Sequence, residues 1–190
     1  MNLSYEDEFK NACERTKEWG LELPVVEYSS ESILSGFRGA DCLRVIQDIS
    51  SQHTAEEISQ QCFWYMLTIK DALQKALSAQ LYYTLGYVQL NGKPVFYTPE
   101  SELEGKMLRS VEMGSALNLH AWLTTPNLEI IDLTFGTTYG IVNNKPDVIG
   151  RCAFQHYSAF DDNMVYHPQL IGDDYLKKIG ALIEVDTFQF

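Results

Sequence analysis

The residues best suited to chemistry lie in one run, Asn118 to Phe135, NLHAWLTTPNLEIIDLTF. Side chains on a strand alternate faces, so Leu117, Leu119, Ala121 and Leu123 share one face and His120 and Trp122 take the other. A three-residue turn at Thr125-Pro126-Asn127 folds Leu128–Phe135 back on Leu117–Thr124. That register sets His120 directly opposite Asp132, with side chains about 5 Å apart at Cβ. A neighbouring odd-length loop keeps the faces and makes the pair diagonal, whereas a loop of two or four residues separates it. A carboxylate beside an imidazole fixes its tautomer and favours the imidazolium. An imidazolium beside a cysteine favours the thiolate, the nucleophilic form. The chemistry open to such a set is attack at an acyl carbon. The piece still required is a cysteine on a rigid element facing the hairpin.

The surrounding elements say which cysteine that is. Cys62, Tyr65, Met66, Ile69, Leu73, Ala76 and Leu77 recur at helical spacing, the longest and most apolar helix pattern in the chain. This helix is expected at the centre, with Cys62 on its apolar face. Thr54-Ala-Glu-Glu57 is a capping box just upstream. Earlier, Ser4 caps a helix running to about Trp19, its stripe formed by Tyr5, Phe9, Ala12 and Cys13, and Gly20 stops it. A second helix near Ala40–Ser50 shows Cys42, Val45, Ile46 and Ile49. The period then changes. Tyr87–Leu90 and Lys93–Tyr97 flank Asn91-Gly92, which suits a type I′ hairpin turn. A short exposed helix is expected over Glu100–Arg109, and Tyr139–Val142 reads as a further strand. Beyond Gly150 the pattern is irregular, with a last helix near Asp173–Ile179. Helices first and antiparallel strands afterwards predict an α+β fold in a single domain spanning residues 1–190.

The order Cys62 on a central helix, His120-x-Trp122 on a strand and Ile131-Asp132-x-Thr134-Phe135-Gly136 on the next resembles the papain-like superfamily. It is most similar to the transglutaminase-like, arylamine-acetyltransferase-like and peptide-cyclising branches, over about Ser59 to Gly136. The resemblance implies Cys62 as nucleophile, His120 as general base and acid, and Asp132 as the residue that orients the histidine. It implies an oxyanion held by the Cys62 N–H and a side chain such as Gln61 or Gln60, with Trp122 beside the substrate. In such enzymes the cysteine sits at a helix N-terminus, where the dipole favours the thiolate. The cap at Thr54 would leave Cys62 two turns inside, so the helix is expected to break over Ser59–Gln61 and restart at Ser59. The substrate would be a peptide or small acyl compound, with no metal and no organic cofactor.

Composition narrows the alternatives. With 14 Lys and Arg against 26 Asp and Glu, the formal charge is −12. So acidic a surface repels phosphate backbones, which excludes nucleic acid as an expected partner. No run of about 18 apolar residues appears, so no membrane span is expected. Met1–Lys10 is polar and acidic, unlike an export signal. Cys13, Cys42, Cys62 and Cys152 form no C-x-x-C pair and read as free thiols of a reducing, cytoplasmic compartment. Two rival readings remain. One is a non-catalytic acidic interaction module of inhibitor or immunity type on the same scaffold. The other is a metal site on Cys152 and His156, four apart and able to share a helix face, with Asp161, Asp162 and His167 nearby.

Overall fold

The structure, a computed structural model, describes residues 3–109 and 117–182, so Met1 and Asn2 of the polar N-terminal stretch lie outside it. Helix α1 (Tyr5–Glu18) opens on a capping box in which the Ser4 hydroxyl accepts the Asp7 N–H and the Asp7 carboxylate accepts from the Ser4 N–H. Its buried stripe is Tyr5, Phe9, Ala12 and Thr16. Then come α2 (Gly36–Ser50), a four-residue α3 (Ala55–Ile58) and the long α4 (Cys62–Leu77). Strands β1 (Tyr82–Leu90) and β2 (Lys93–Val95) form the expected hairpin, and β1 starts earlier than the alternation suggests. Asn91 and Gly92 both have positive φ, 51° and 74°, as a type I′ turn requires. Helix α5 (Glu100–Arg109) follows, then β3 (His120–Thr124), β4 (Glu129–Asp132), α6 (Phe135–Val142), β5 (Ala153–His156), β6 (Met164–Ile171) and α7 (Asp174–Lys178). The fold is α+β.

Every strand pair is antiparallel, in the order β2-β1-β3-β4-β5. Strand β6 pairs with β1 along Thr84–Leu90. One edge of β1 is therefore given wholly to β6, and β3 and β2 share the other. Alternation along β3 divides the apolar residues between two cores. Leu119, Ala121 and Leu123 join Tyr65, Met66, Ile69 and Leu73 of α4. Trp122 joins Tyr5, Phe9 and Tyr166 on the opposite face, under α1. A buried chain of hydrogen bonds ties α1 to the sheet there. The Trp122 indole donates to the Tyr5 hydroxyl (2.9 Å), which bonds the Thr124 hydroxyl (2.7 Å), itself bonded to Thr84 (2.8 Å).

Two expectations are corrected. Tyr139–Val142 is not a strand but the end of α6. The turn after β4 feeds two backbone N–H groups, of Thr134 and Phe135, to one carboxylate oxygen of Asp132 and so seeds a helix. The stretch beyond Gly150 is not irregular throughout, because it supplies β5 and β6. Pro168 hid β6, yet it pairs with Gly86 where the ladder is offset, between Leu85 and Gly86. A side chain at Gly86 would collide with the His167 carbonyl and the Trp122 ring, so only glycine allows this approach.

Candidate active site

Turn chemistry sets the geometry of the β3–β4 hairpin. The Thr125 carbonyl accepts the Leu128 N–H at 2.9 Å, and the Thr125 N–H donates to the Glu129 carbonyl at 3.0 Å. Pro126 therefore takes the second position of the turn, where its fixed φ fits, and Leu128 takes the left-handed position at φ 59°. The loop residues are Pro126-Asn127-Leu128, not Thr125-Pro126-Asn127. Thr124 now pairs with Ile130 and Leu123 with Ile131. The loop keeps its odd length, so His120 and Asp132 stay on one face but are diagonal instead of directly opposed.

The His120 ring Nε2 lies 2.7 Å from Asp132 Oδ2, and both side chains are only 1% exposed. Asp132 is saturated. Oδ2 also accepts from the Tyr166 hydroxyl (2.9 Å), and Oδ1 accepts from the Thr134 N–H and hydroxyl and the Phe135 N–H. Burial opposes a charge on His120. The Asp132 carboxylate, its hydrogen bond and that of Cys62 outweigh burial and push the imidazole up to about 10. Burial likewise opposes the Asp132 charge, but His120 and the backbone donors hold that carboxyl below its ordinary range. Burial and the adjacent carboxylate raise the Tyr166 phenol well above its usual value, so it remains a donor. Phe96 stacks on the His120 ring at 5.6 Å and Phe135 meets it edge-on at 5.5 Å. Phe96 has φ 60°, a left-handed conformation that costs a bulky residue about 1–3 kcal/mol.

Cys62 is the first residue of α4. The chain breaks as expected over Ser59–Gln61, but helix resumes at Cys62 and not at Ser59. Ser59 closes α3 in an extended conformation, and Gln60 is left-handed at φ 62°. The Gln60 N–H donates to the Thr138 hydroxyl of α6 at 3.1 Å, which pins the break. Cys62 consequently stands at the positive end of a 16-residue helix, where the opening N–H groups have no intrahelical acceptor. It is partly exposed and lies close enough to His120 to favour the charged imidazole. Asp132 occupies Nε2, which leaves Nδ1 as the ring nitrogen open to a thiol. The fold thus brings together Cys62, His120 and Asp132, from α4, β3 and β4. Gln60 and Gln61 flank the cysteine with exposed side chains.

Trp122 does not line a substrate pocket. It is wholly buried in the α1-side core, with its indole N–H committed to Tyr5. The residues that sequence reasoning missed are Tyr166, Phe96 and Phe135. The first two lie outside the His120–Asp132 run and are delivered by β6 and by the segment after β2. Phe135 also lies beyond Asp132, and as the first residue of α6 it is turned onto the imidazole.

At the remaining cysteines burial opposes the thiolate. Burial pushes the Cys13 and Cys42 thiols up to about 11 and about 12. Burial and the Asp132 charge raise Cys152 as well. The proposed metal pair is corrected, because His156 closes strand β5 and Cys152 just precedes it, so they share no helix face. His156 bonds Ser158 instead, and no His, Cys, Asp or Glu group able to hold a metal occurs among the described residues. No described helix is long and apolar enough to cross a membrane. Searches of family models, curated proteins and solved structures find no match to the chain.

Proposed function

We propose that the protein is a cysteine-dependent hydrolase or acyltransferase of papain-like architecture, acting at an amide, ester or thioester carbon. The observation that carries this reading is Cys62 at a helix N-terminus beside an imidazole whose Nε2 is held by a saturated, buried carboxylate. In the first step the Cys62 thiolate attacks the carbonyl carbon, forming a C–S bond as the carbonyl electrons move onto oxygen. The Cys62 N–H at the helix start, with the side-chain amide of Gln61 or Gln60, supports that oxyanion. The tetrahedral intermediate collapses, and His120 gives its Nδ1 proton to the departing amine, alcohol or thiol. Water or an amine then attacks the acyl-enzyme, His120 takes the proton, and cleavage of the C–S bond restores the thiolate. Asp132 stabilises the imidazolium throughout.

One observation favours a non-catalytic interaction module instead. His120 is 1% exposed, with Phe96 stacked on its ring and Phe135 edge-on, so little of the imidazole is open to a substrate. Iodoacetamide labelling of the native protein across pH 5 to 9, mapped cysteine by cysteine, separates the two readings. The enzyme reading expects Cys62 to be labelled at about pH 6 roughly tenfold faster than the other three, and His120→Ala to abolish that advantage. Slow labelling of Cys62, level with Cys42, would leave the interaction module.

A further inference from the structure

A cavity of about 330 Å³ lies among α6, β5 and β6. That is the low end of the range typical of small-molecule sites, about 300–1,000 Å³. The buried residues Asp132, Phe135 and Tyr166 form its floor. Tyr139, Phe160 and Met164, each partly exposed, form its walls. These walls and most of the floor are apolar, so the accessible surface of the cavity suits an apolar group. The segment that completes the rim is held by backbone contacts. The Gly150 N–H donates to the Thr137 hydroxyl of α6 at 3.1 Å, and the Arg151 N–H donates to the Val148 carbonyl at 3.1 Å. The cavity is therefore built into the fold.

Arg151 brings a cation to this rim. Its side chain is exposed and makes no ion pair or hydrogen bond among the described residues. Asp132 on the floor does not serve it. Both oxygens of that carboxylate are taken, by His120 and Tyr166 on one side and the Thr134 and Phe135 N–H groups on the other. The His120 imidazolium matches its charge. Arg151 is thus the uncompensated charge of the lining, and it is positive although the chain as a whole carries −12. A guanidinium presents a planar fork of donors that fits a carboxylate. An apolar chamber with such a fork at its rim selects a molecule that is apolar along its length and anionic at one end.

We propose that this cavity binds a small monocarboxylate with an apolar body, an alkyl or an aryl acid. Its carboxylate pairs with Arg151 at the rim, and its tail rests against Tyr139, Phe160 and Phe135. Burial of the tail drives binding, and the ion pair decides which end faces outward. Neither Cys62 nor His120 lines the cavity, so the site stands independently of the acyl chemistry proposed for Cys62. It adjoins that site through its floor, because Phe135 meets His120 edge-on and Tyr166 donates to Asp132.

The test is titration of the ¹⁵N-labelled protein with sodium octanoate, followed by amide resonances. Saturable shifts are expected at Gly136, Tyr139, Arg151 and Met164, with Kd on the order of 0.1 mM. Cys152 lines the cavity with an exposed side chain and gives a second readout. Octanoate should slow its alkylation by iodoacetamide with the same Kd, in the native chain and in Cys62→Ser alike, and leave Cys13 unchanged. Arg151→Gln, at an exposed position that does not threaten the fold, is expected to weaken octanoate binding about tenfold. Octanol, which keeps the tail without the charge, should bind the native chain about tenfold more weakly than octanoate. Acetate, which keeps the charge without the tail, should not saturate. Phenylpropionate distinguishes the two bodies. Tighter binding than octanoate assigns the cavity to an aryl acid, and equal or weaker binding assigns it to an alkyl acid. No saturable shift with either acid up to about 5 mM, far above the expected Kd, would overturn the proposal. So would octylamine binding as tightly as octanoate, or Arg151→Gln binding octanoate as well as the native chain.

Discussion

Two histidine–carboxylate pairs of nearly equal length occupy different surroundings in this molecule. His120–Asp132 spans 2.7 Å with both side chains 1% exposed, and His167–Glu8 spans 2.8 Å with 18% and 22% exposed. The contact itself is the same. What differs is the far side of each partner. Asp132 is saturated by Tyr166, Thr134 and Phe135, and Cys62 lies beside His120. Glu8 is a partly exposed carboxylate on α1, and the second nitrogen of His167 is buried with no partner among the described residues. A pair of this kind acquires its role from its surroundings, a neighbouring thiol in one case and a partly open surface in the other.

Removing one carboxylate from each pair should give the largest contrast. Asp132→Ala leaves a buried imidazole without its counter-charge and orphans the Tyr166 hydroxyl, so a loss of about 3–5 kcal/mol is expected in urea unfolding. Glu8→Ala removes a partly solvated partner and should cost about 1 kcal/mol or less. Equal losses would mean that the two pairs are energetically alike and the contrast fails.

The pH dependence of stability should follow the buried pair. The folded-state value of Asp132 is lowered, so its contribution is present above about pH 4 and is lost as pH falls through the lowered value. His120 is raised from 6.5 to about 10, so its contribution is complete below about 6.5 and is lost as pH rises through about 10. Thermal unfolding should therefore peak between these limits. Substituting both His120 and Asp132 by Ala should flatten the profile, and an unchanged profile would locate its origin elsewhere.

Tyr166→Phe removes one of two donors to Asp132 Oδ2 and keeps the ring packed against Trp122. A loss of about 1–2 kcal/mol is expected in chemical unfolding, with Cys62 remaining the most readily alkylated thiol. The smallest effect is expected for Glu8→Gln, within about 1 kcal/mol of the native chain, because the amide oxygen still accepts from His167. A larger change would show that this pair holds α1 on the sheet.

Much of the candidate site is legible in the chain because its parts are local. His120 and Asp132 sit 12 positions apart on one hairpin. Strand alternation puts them on one face for any odd loop, so a one-residue error in the turn left the pair intact. The α4 face was equally plain from its apolar period, as was the Asn91-Gly92 turn. Distant contributions could not be read this way. Tyr166 reaches Asp132 from β6, a strand masked by Pro168, and Phe96 reaches His120 through a positive φ that nothing in its neighbours demands. Trp122 shows the converse error, since periodicity assigns a face but not whether solvent or a helix covers it. Here α1 does, with Tyr5 taking the indole N–H.

Read from the chain alone, the α+β order, the apolar face of α4, the hairpin carrying His120 and Asp132 and the net charge of −12 were already settled. All of these follow from short-range periodicity, turn chemistry and counted charge. Only the tertiary structure decided that α4 begins at Cys62, because the break depends on Gln60 bonding Thr138 of a helix 78 positions away. It alone decided that one imidazole–carboxylate pair is sealed and the other partly open. Burial depends on which elements pack over a residue, and those elements come from the opposite end of the chain.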